Sequence, residues 1–410
     1  MADEWRTSTW GDEISLEYGK ALRGHDTAEG QYRVYGSNGP IGWTSEPLAR
    51  GPGVILGRKG AYRGVQFSRD PFFVIDTAYY VVPKSELDMR WLYYAIKHYK
   101  LGEVDDGSPI PSTTRAAVYV LDLEVPPPDE QRAIAHILGT LDNKIELNRR
   151  TNETLEAMSR ALFTSWFVDF DPVRAKAEGR DSGLPRPLAD LFPDSFEDSE
   201  MGEIPRGWSA TPLYGIATYI NGAAYAAFQP NDERRGLPII KIAELKAGVT
   251  AQTKFSDAQM PDKYRIAEGD ILFSWSGNPD TSIDTFVWSG GSAWLNQHIF
   301  RVLPIHPHER AFVLSTLKTL RPVFAEIARN KQTTGLGHVT AEDMKRLLVA
   351  RPDDRVMLAW SKLASPLHER TYQNSLEIGH LSKVRDMVLP KLISGDLRVE
   401  EPARLLGGRD

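Results

Sequence analysis

Apolar residues recur every seven positions along the stretch that runs from residue 126 to residue 167. The repeating positions are Ile134, Leu141, Asn148, Leu155 and Leu162. A seven-residue period is typical of a coiled-coil seam, which is narrower than the apolar stripe of an ordinary surface helix. The sequence therefore predicts one long seam helix here, in which the single asparagine fixes register at some cost in stability.

The same seam occurs a second time near the end of the chain. Trp360, Leu363, Leu367, Asn374, Leu381, Val384 and Val388 stand opposite Ile134, Ile137, Leu141, Asn148, Leu155, Met158 and Leu162 at a constant offset. Apolar residues match apolar residues, and asparagine matches asparagine, so we infer a duplication. We expect these seam residues to pair the two helices, and antiparallel pairing would bring Asn148 near Asn374. Pro366 predicts a kink or a restart in the second helix.

The repetition extends to the segments that precede each helix. Trp5 and Tyr18-Gly19 align with Trp208 and Asn221-Gly222, Gly53–Leu56 aligns with Gly269–Leu272, and Asp76–Val82 aligns with Asn296–Val302. Short apolar runs separated by glycine turns predict strands, and helical spacing follows each set of strands. Each half is therefore predicted to be an α+β domain with a small, mainly antiparallel sheet, followed by a long helix.

Domain limits follow from this pattern and from the proline-rich stretches. We predict a first globular domain at 1–125, a first spacer helix at 126–170, a linker at 171–200, a second globular domain at 201–350, a second spacer helix at 351–398 and a tail at 399–410. If the helices run antiparallel, the two halves are related by a pseudo-twofold axis.

Composition narrows the class of protein. At 410 residues with 41% hydrophobic content the chain is globular and long enough for at least two domains. The absence of cysteine excludes disulfides, thiolate zinc sites and cysteine nucleophiles. No apolar run reaches the ~18 residues of a membrane span, and the N-terminus lacks a secretory signal, so a cytoplasmic location is expected. The net charge of −6 is unlike a simple basic DNA-binding module, so any cationic surface must be local.

Several strings then resemble one family. YRVYGSNGPIGW (32–43), GPGVILGRKGAYRGV (51–65), the stretch at 126–173 and LPKLISGDLRV (389–399) resemble the DNA specificity subunits of type I restriction–modification systems. In the second half, PIIKIAEL (238–245), GDILFSWSG (269–277) and LNQHIF (295–300) are similar to another branch of the same target-recognition domain. The resemblance covers nearly the whole chain.

The resemblance implies a non-catalytic subunit with two target-recognition domains that read the two parts of a bipartite, asymmetric DNA sequence. The helices would set the gap, and the chain would dock two methyltransferase subunits and restriction subunits. S-adenosylmethionine would then be bound by the methyltransferase partner and ATP with magnesium by the restriction partner, with no cofactor in this chain. The alternative from another class is a helical scaffold or adaptor without sequence-specific DNA binding.

An enzyme is the second alternative, and the sequence argues against it. Neither a phosphate-binding Walker loop nor a dinucleotide-binding glycine fingerprint occurs. Asp232, Glu244 and Lys246 have the spacing of a magnesium-dependent nuclease, but Glu244 lies in a segment that matches the specificity family. None of the nine histidines forms a metal-binding pattern.

Candidate DNA-binding residues of the first half lie in glycine-bounded turns and one loop. They are Ser37, Asn38, Arg58, Lys59, Tyr62, Arg63, Thr113, Thr114 and Arg115. Arginine can contact guanine with two hydrogen bonds, asparagine can read adenine, and lysine, serine and threonine can bind phosphate. The alternatives are a solvated basic turn, an ordinary Asn-Gly turn and helix capping.

Candidates of the second half lie at strand ends and in one glycine-rich loop. They are Lys241, Trp275, Ser276, Asn278, Gln297, His298, Lys331, Gln332, Thr333 and His338. For Trp275 the alternative is a core position, and for the segment from Lys331 to His338 it is a mobile loop without nucleic-acid contact.

Overall fold

The computed structural model describes residues 4–26, 29–105, 107, 111–332 and 336–399. The chain divides into two compact units. Unit 1 comprises the described parts of Met1–Glu146 and His380–Asp410, and unit 2 comprises the described parts of Leu147–Gly379. Each unit holds one α+β domain and one stretch of each long helix.

Unit 1 is built on a four-stranded antiparallel sheet and a smaller sheet beside it. Its strands are β1 (Arg6–Thr9), β2 (Ile14–Tyr18), β3 (Tyr32–Gly36), β4 (Gly39–Thr44), β5 (Gly53–Gly57), β6 (Val65–Ser68), β7 (Phe72–Val74), β8 (Ala78–Pro83) and β9 (Asp122–Val125). The large sheet has the order β2-β8-β5-β6 and the small one β4-β3-β7, in which β3 and β7 are parallel. Strand β1 pairs with β9.

The helices of unit 1 cover the large sheet. They are α1 (Trp10–Glu13), α2 (Met89–His98), α3 (Arg115–Tyr119) and the first part of α4 (Pro128–Phe167). Asp88 caps the start of α2, because its carboxylate accepts from the backbone N–H of Arg90 and Trp91 at 2.9 and 2.8 Å. Its apolar side, which includes Trp91 and Ile96, is fully buried in the core.

Unit 2 repeats this plan with additions. Its strands are β10 (Phe196–Ser199), β11 (Gly202–Pro205), β12 (Ser209–Pro212), β13 (Ala217–Asn221), β14 (Leu237–Ile240), β15 (Phe255–Ser256), β16 (Arg265–Ile266), β17 (Ile271–Ser274), β18 (Ser276–Gly277), β19 (Asp284–Val287), β20 (Ala293–Leu295), β21 (Ile299–Pro304), β22 (Gly337–His338) and β23 (Leu348–Arg351). Its helices are α5 (Asp171–Ala177), α6 (Arg186–Ala189), α7 (Ile242–Ala247), α8 (Arg310–Thr319), α9 (Arg321–Asn330), α10 (Ala341–Arg346) and most of α11 (Asp354–Ser394).

The sheet orders confirm the internal repeat. The antiparallel sheet β13-β21-β17-β19 matches β2-β8-β5-β6 strand for strand, and the second sheet, β15-β14-β20-β16, again contains one parallel pair. Gly19 and Gly222, which the sequence alignment pairs, both allow a close approach to a neighbouring backbone segment. A Cβ on Gly19 would lie 2.1 Å from the carbonyl oxygen of Ile75, and one on Gly222 would lie 2.2 Å from that of Asn296.

The two long helices pair antiparallel within each unit. In unit 1, Arg385 on α11 forms an ion pair with Asp142 on α4 at 2.9 Å. In unit 2, residues further along α4 contact residues that come earlier in α11. Asn148 donates to Glu377 at 2.8 Å, and Asn374 donates to Asn152 at 2.8 Å. The two seam asparagines thus form one buried polar layer whose observed hydrogen bonds go to these neighbours.

Two predicted seam positions are wrong in detail. Met158 and Val384 are 49% and 46% exposed. The residue next to each faces the partner helix instead. Ser159 is buried and its hydroxyl lies 3.0 Å from His368, and Arg385 reaches Asp142.

The other seam positions are covered to differing extents. Ile134 is fully buried and packs into the unit 1 core, and Leu162 packs against the unit 2 core. The partly covered ones are Leu141, Leu155, Leu367, Leu381 and Val388.

Pro366 does not interrupt α11, so the predicted restart is wrong. The backbone carbonyl that a proline leaves without a partner, four residues earlier, belongs to exposed Lys362, where water can satisfy it.

The segment predicted as a linker packs into unit 2. Val173 and Phe192 are buried there together with Trp208 and with Phe170, the last residue of the predicted spacer helix. Apolar residues between prolines therefore anchor this polar stretch. In unit 1 the chain is held in a similar way just before the predicted tail. Arg398 forms an ion pair with buried Glu130 at 2.7 Å, to which Trp5 also donates at 2.9 Å. No helix in the described part of the chain is both long and apolar enough to cross a membrane.

Candidate nucleic-acid interface

The candidate residues of unit 1 gather at one end of its large sheet. Strands β2 and β5 end there and β8 begins there, as the pairs Tyr18↔Tyr79 and Gly57↔Ala78 show. The loop after β5 and the segment before α3 close over this end, because Thr113 N–H donates to the carbonyl of Arg58 at 2.9 Å. Segments distant in sequence therefore meet at one place.

Two arginines lie over a single tyrosine at this end. The guanidinium carbons of Arg58 and Arg115 are 4.8 and 4.3 Å from the ring centroid of Tyr18. Arg58 donates to the backbone carbonyl of Asp76 at 3.1 Å, and Arg115 donates to that of Leu16 at 2.6 Å. Both guanidinium groups are therefore fixed by one or two contacts and keep further donors. We call Tyr18, Arg58 and Arg115 the unit 1 cluster.

Tyr18 is not among the candidate DNA-binding residues that the sequence analysis identified, although it is 46% exposed. The sequence did contain a signal for it, because Tyr18-Gly19 marks the end of a strand in the alignment of the two repeats. Its neighbour Tyr79 is buried, and burial raises the pKa of Tyr79 to about 12, with a hydrogen bond to Tyr18 adding to the effect. Tyr79 is therefore a neutral donor, and its hydroxyl bonds the carbonyl of Thr113 at 3.2 Å.

Lys59, Tyr62 and Asn38 project from the same region. Lys59 and Asn38 are exposed, and Tyr62 is 79% exposed. Within the described part of unit 1, no carboxylate pairs with Arg58 or Lys59. Arg58 and Lys59 therefore place cationic charge at this sheet end despite the acidic balance of the whole chain, whereas Arg115 is paired with Glu17 at 3.5 Å.

The remaining unit 1 candidates hold the loops together. Arg63 donates to the carbonyls of Gly102, Gly60 and Val104 at 2.7, 2.9 and 3.4 Å. Buried Thr113 donates to the same turn, Thr114 caps α3, and the Ser37 hydroxyl donates to the carbonyl of Thr77 at 2.6 Å. These residues are occupied by the protein itself, and a nucleic-acid contact from them stays a prediction.

The equivalent end of the unit 2 sheet carries different residues. Strand β13 ends at Asn221 and β17 ends just before Trp275. The indole N–H of Trp275 donates to the Asn221 side chain at 3.1 Å. The His298 ring lies 5.6 Å from that of Trp275, and its Nε2 lies 3.3 Å from the Gln297 amide. His298 Nδ1 is buried and has no hydrogen-bond partner among the described residues. We call Asn221, Trp275 and His298 the unit 2 cluster.

A two-residue strand pair extends this cluster. Ser276 pairs with His338, and the N–H of Val339 donates to the Trp275 carbonyl at 2.8 Å. The chain thus brings together Trp275, Ser276 and His338 from segments sixty residues apart. Trp275 is partly buried against the unit 2 core, so the core alternative for it is partly right.

Other unit 2 candidates lie around the cluster. Lys241 begins α7, and its ammonium is 5.0 Å from the Tyr225 ring. Lys331 binds Asp343 at 2.6 Å, and Gln332 is exposed. Burial alone would raise the pKa of Asp343, but the hydrogen bonds from Lys331 and Thr340 outweigh it and leave the pKa lowered. Thr333 lies outside the described residues.

The nuclease-like spacing has another explanation. Glu244 is buried, accepts from the backbone N–H of Lys241 at 3.0 Å and accepts from Thr253 at 3.2 Å. Asp232 forms an ion pair with Lys254. Among the described residues, no group of three or more metal-binding side chains is gathered.

Comparisons with known proteins agree with the repeat. The family model described as "Type I restriction modification DNA specificity domain" matches residues 3–157 and 205–354. The type I restriction enzyme MjaIX specificity subunit of Methanocaldococcus jannaschii is 24% identical, over 85% of this chain and 78% of that protein. The HindI specificity subunit of Haemophilus influenzae is 25% identical, over 73% and 74%. The crystal structure of a type I restriction-modification S subunit from M. genitalium shares the fold with a TM-score of 0.61 at 17% identity, covering 95% of this chain and 96% of that one.

Proposed function

The chain belongs to the type I restriction modification DNA specificity family, and on that premise we propose that it is the non-catalytic, sequence-reading subunit of a type I restriction–modification complex. Each α+β domain reads one half of a bipartite, asymmetric DNA target. The two long helices set the length of the unspecified gap. The chemistry of methylation and cleavage belongs to partner subunits.

One observation carries this proposal: the equivalent ends of the two large sheets carry different side chains in the two units. The unit 1 cluster offers two guanidinium groups beside an exposed tyrosine, whereas the unit 2 cluster offers an indole, an imidazole and an amide. Arginine favours guanine and phosphate, whereas asparagine and glutamine favour adenine. A duplicated scaffold with unlike ends is what two different half-sites require.

The net charge of −6 is compatible with this role. Phosphate contacts need cations where the duplex passes. The end of the unit 1 sheet supplies Arg58 and Lys59, with which no carboxylate of the described residues pairs. Partner subunits that enclose the duplex would share the remaining neutralisation. Overall charge therefore does not decide against DNA binding here.

Docking of two methyltransferase subunits is part of the proposal. Met158 and Val384 occupy equivalent positions of the duplicated seam, one in each unit, and both are about half exposed. Exposed apolar side chains in equivalent places suit two copies of the same partner. Those partners would bind S-adenosylmethionine, and restriction subunits would bind ATP and magnesium.

Methylation mapping tests the function directly. DNA from cells that carry this chain with its methyltransferase partner should be modified at one bipartite motif, and purified complex should bind a duplex with that motif in preference to a scrambled duplex. Specific sites are typically bound ~10³-fold or more tightly than non-specific DNA. Equal binding of both duplexes would instead favour the scaffold alternative.

A further inference from the structure

The loop that follows the unit 2 cluster is held in one conformation by contacts within the protein. It runs from Gly277 to Ser282, at the entrance of β19. The Asn278 side chain accepts from the N–H groups of Asp280 and Thr281 at 3.0 and 3.1 Å. Gly277 has φ of +121°, and a Cβ there would lie 2.7 Å from that of Ser282. The loop is therefore tightly closed, at the place where recognition residues project.

Helix α9 holds this loop through two arginines. Arg329 donates to the Asp280 carboxylate at 3.0 Å, and Arg321 donates to the Asp280 backbone carbonyl at 2.8 Å. Arg321 also forms an ion pair with Asp284 at 3.2 Å. Asp280 thus contacts both arginines, one through its side chain and one through its backbone.

The pairing is too exposed to be explained by stability. The side chains of Arg329 and Asp280 are 50% and 66% exposed, and such pairs contribute little to the free energy of folding. What the carboxylate does change is local charge. An unpaired arginine beside a recognition loop would bind backbone phosphate, which carries no sequence information.

The two units differ in this respect. At the end of the unit 1 sheet, no carboxylate among the described residues pairs with Arg58 or Lys59, although Arg115 pairs with Glu17 at 3.5 Å. Around the loop of unit 2, each of Arg321, Arg329 and Lys331 is paired with an aspartate. The unit 1 sheet end therefore has two cations available to hold phosphate, whereas the three cations around the unit 2 loop are neutralised.

We propose that Asp280 is a specificity-determining positioning residue of the second half-site. Its carboxylate fixes the Gly277–Ser282 loop on α9 and keeps Arg329 away from sequence-independent phosphate contacts. This inference rests on the proposed function, because it concerns how the same interface discriminates between sequences.

The test is Asp280→Asn in the full chain assembled with its methyltransferase subunit. The amide keeps the shape but removes the charge that binds Arg329. Affinity for a scrambled duplex should rise about eightfold at 0.1 M salt, the factor that one further released counterion supplies, and the salt slope should steepen by about 0.9. Affinity for the mapped motif should rise less, so the ratio of the two affinities falls. An unchanged scrambled-duplex affinity and slope would overturn the proposal.

Two further variants identify the source of the effect. Asp257→Asn removes a carboxylate that pairs with Arg235 at 2.9 Å with similar exposure, outside the loop, and should leave the affinity ratio unchanged. Arg329→Gln combined with Asp280→Asn should return the salt slope to that of the unmodified chain. A slope that stays steep in the double variant would show that Arg329 is not the released cation.

The outcomes separate this inference from the function on which it rests. If the unmodified complex does not discriminate between motif and scrambled duplex, the proposed function fails. If it does discriminate, and Asp280→Asn discriminates equally well, only the role of Asp280 fails.

Discussion

A mostly buried histidine makes the stability of unit 2 sensitive to pH. His368 on α11 has its Nε2 3.0 Å from the Ser159 hydroxyl on α4 and 3.3 Å from the Ser315 hydroxyl on α8. Burial, followed by the nearby cations Lys318 and Arg310, lowers its pKa from 6.5 to about 4, against an opposite effect of Glu156. The neutral imidazole therefore joins three helices of this unit.

The sign and size of the effect follow from proton linkage. Because the folded pKa lies below the unfolded one, the unfolded chain binds an extra proton between pH 6.5 and 4. Stability is therefore lost as the pH falls through this window, and no more is lost below it. At ~1.4 kcal/mol per pH unit the whole loss is about 3 kcal/mol, of which about 2 kcal/mol falls between pH 7.5 and pH 5.

Urea unfolding of the full chain at pH 7.5 and pH 5 measures this loss. Because the chain has two units, the unfolding of unit 2 is monitored separately, by pulse proteolysis in which peptides from unit 2 are detected. His368→Gln cannot gain the proton, so it should lose about 2 kcal/mol less than the unmodified chain between the two pH values. Other titrating groups are common to both proteins and cancel in the difference. If both proteins lost the same amount, His368 would not be buried as a neutral group.

Three predictions concern the interface and the helices. Replacing Arg58 and Lys59 by alanine should weaken binding at the first half-site and reduce the salt slope by up to about 1.8, since each phosphate contact contributes about 0.9. Met158→Asp and Val384→Asp should each remove one methyltransferase copy from the complex, as measured by native mass spectrometry. Seven residues inserted into each long helix, after Glu146 and after Gly379, add about 10 Å and should lengthen the gap in the methylated motif by about three base pairs.

Each of these has a matched control or a contrary result. Lys100→Ala removes a unit 1 cation that is paired with Glu103 and does not belong to the cluster, and it should leave the salt slope unchanged. Binding that stays equal over a salt series would remove Arg58 and Lys59 from the interface. A complex that keeps both methyltransferase copies in both aspartate variants would place docking elsewhere. Changed half-sites with an unchanged gap would disprove the spacing role of the helices.

The repeat and its helices could be predicted because their signals are local. A seven-residue period needs no knowledge of the partner, and the glycines at equivalent strand ends stand out in the alignment. The exposed positions Met158 and Val384 could not be recognised in the same way. Whether a residue faces the partner depends on what the other helix presents, and here Ser159 and Arg385 find polar partners across the seam.

Within the candidate interface, the positions of the strand ends could be predicted from the sequence, but the groups that each side chain contacts could not. A basic turn bounded by glycines indicated where Arg58 and Arg63 would lie. Arg58 keeps donors beside Tyr18, whereas Arg63 is bound to carbonyls from a turn some forty residues away. The two arginines look equivalent in sequence, and only the tertiary position of that turn distinguishes them.

The way in which the two units differ bears on how one fold can read two sequences. Gly19 and Gly222 fix the same close backbone approach, and the strand orders of the two large sheets are identical. The side chains at the ends are free of these constraints. Arg58 and Trp275 follow equivalent strands. An exchange of Arg58 changes the chemistry of the end and leaves the sheet that carries it intact, whereas Trp275 also packs against the unit 2 core. Specificity can then change by substitution at a few strand ends, whereas substitution of the glycines should disrupt the fold and with it the reading of any sequence.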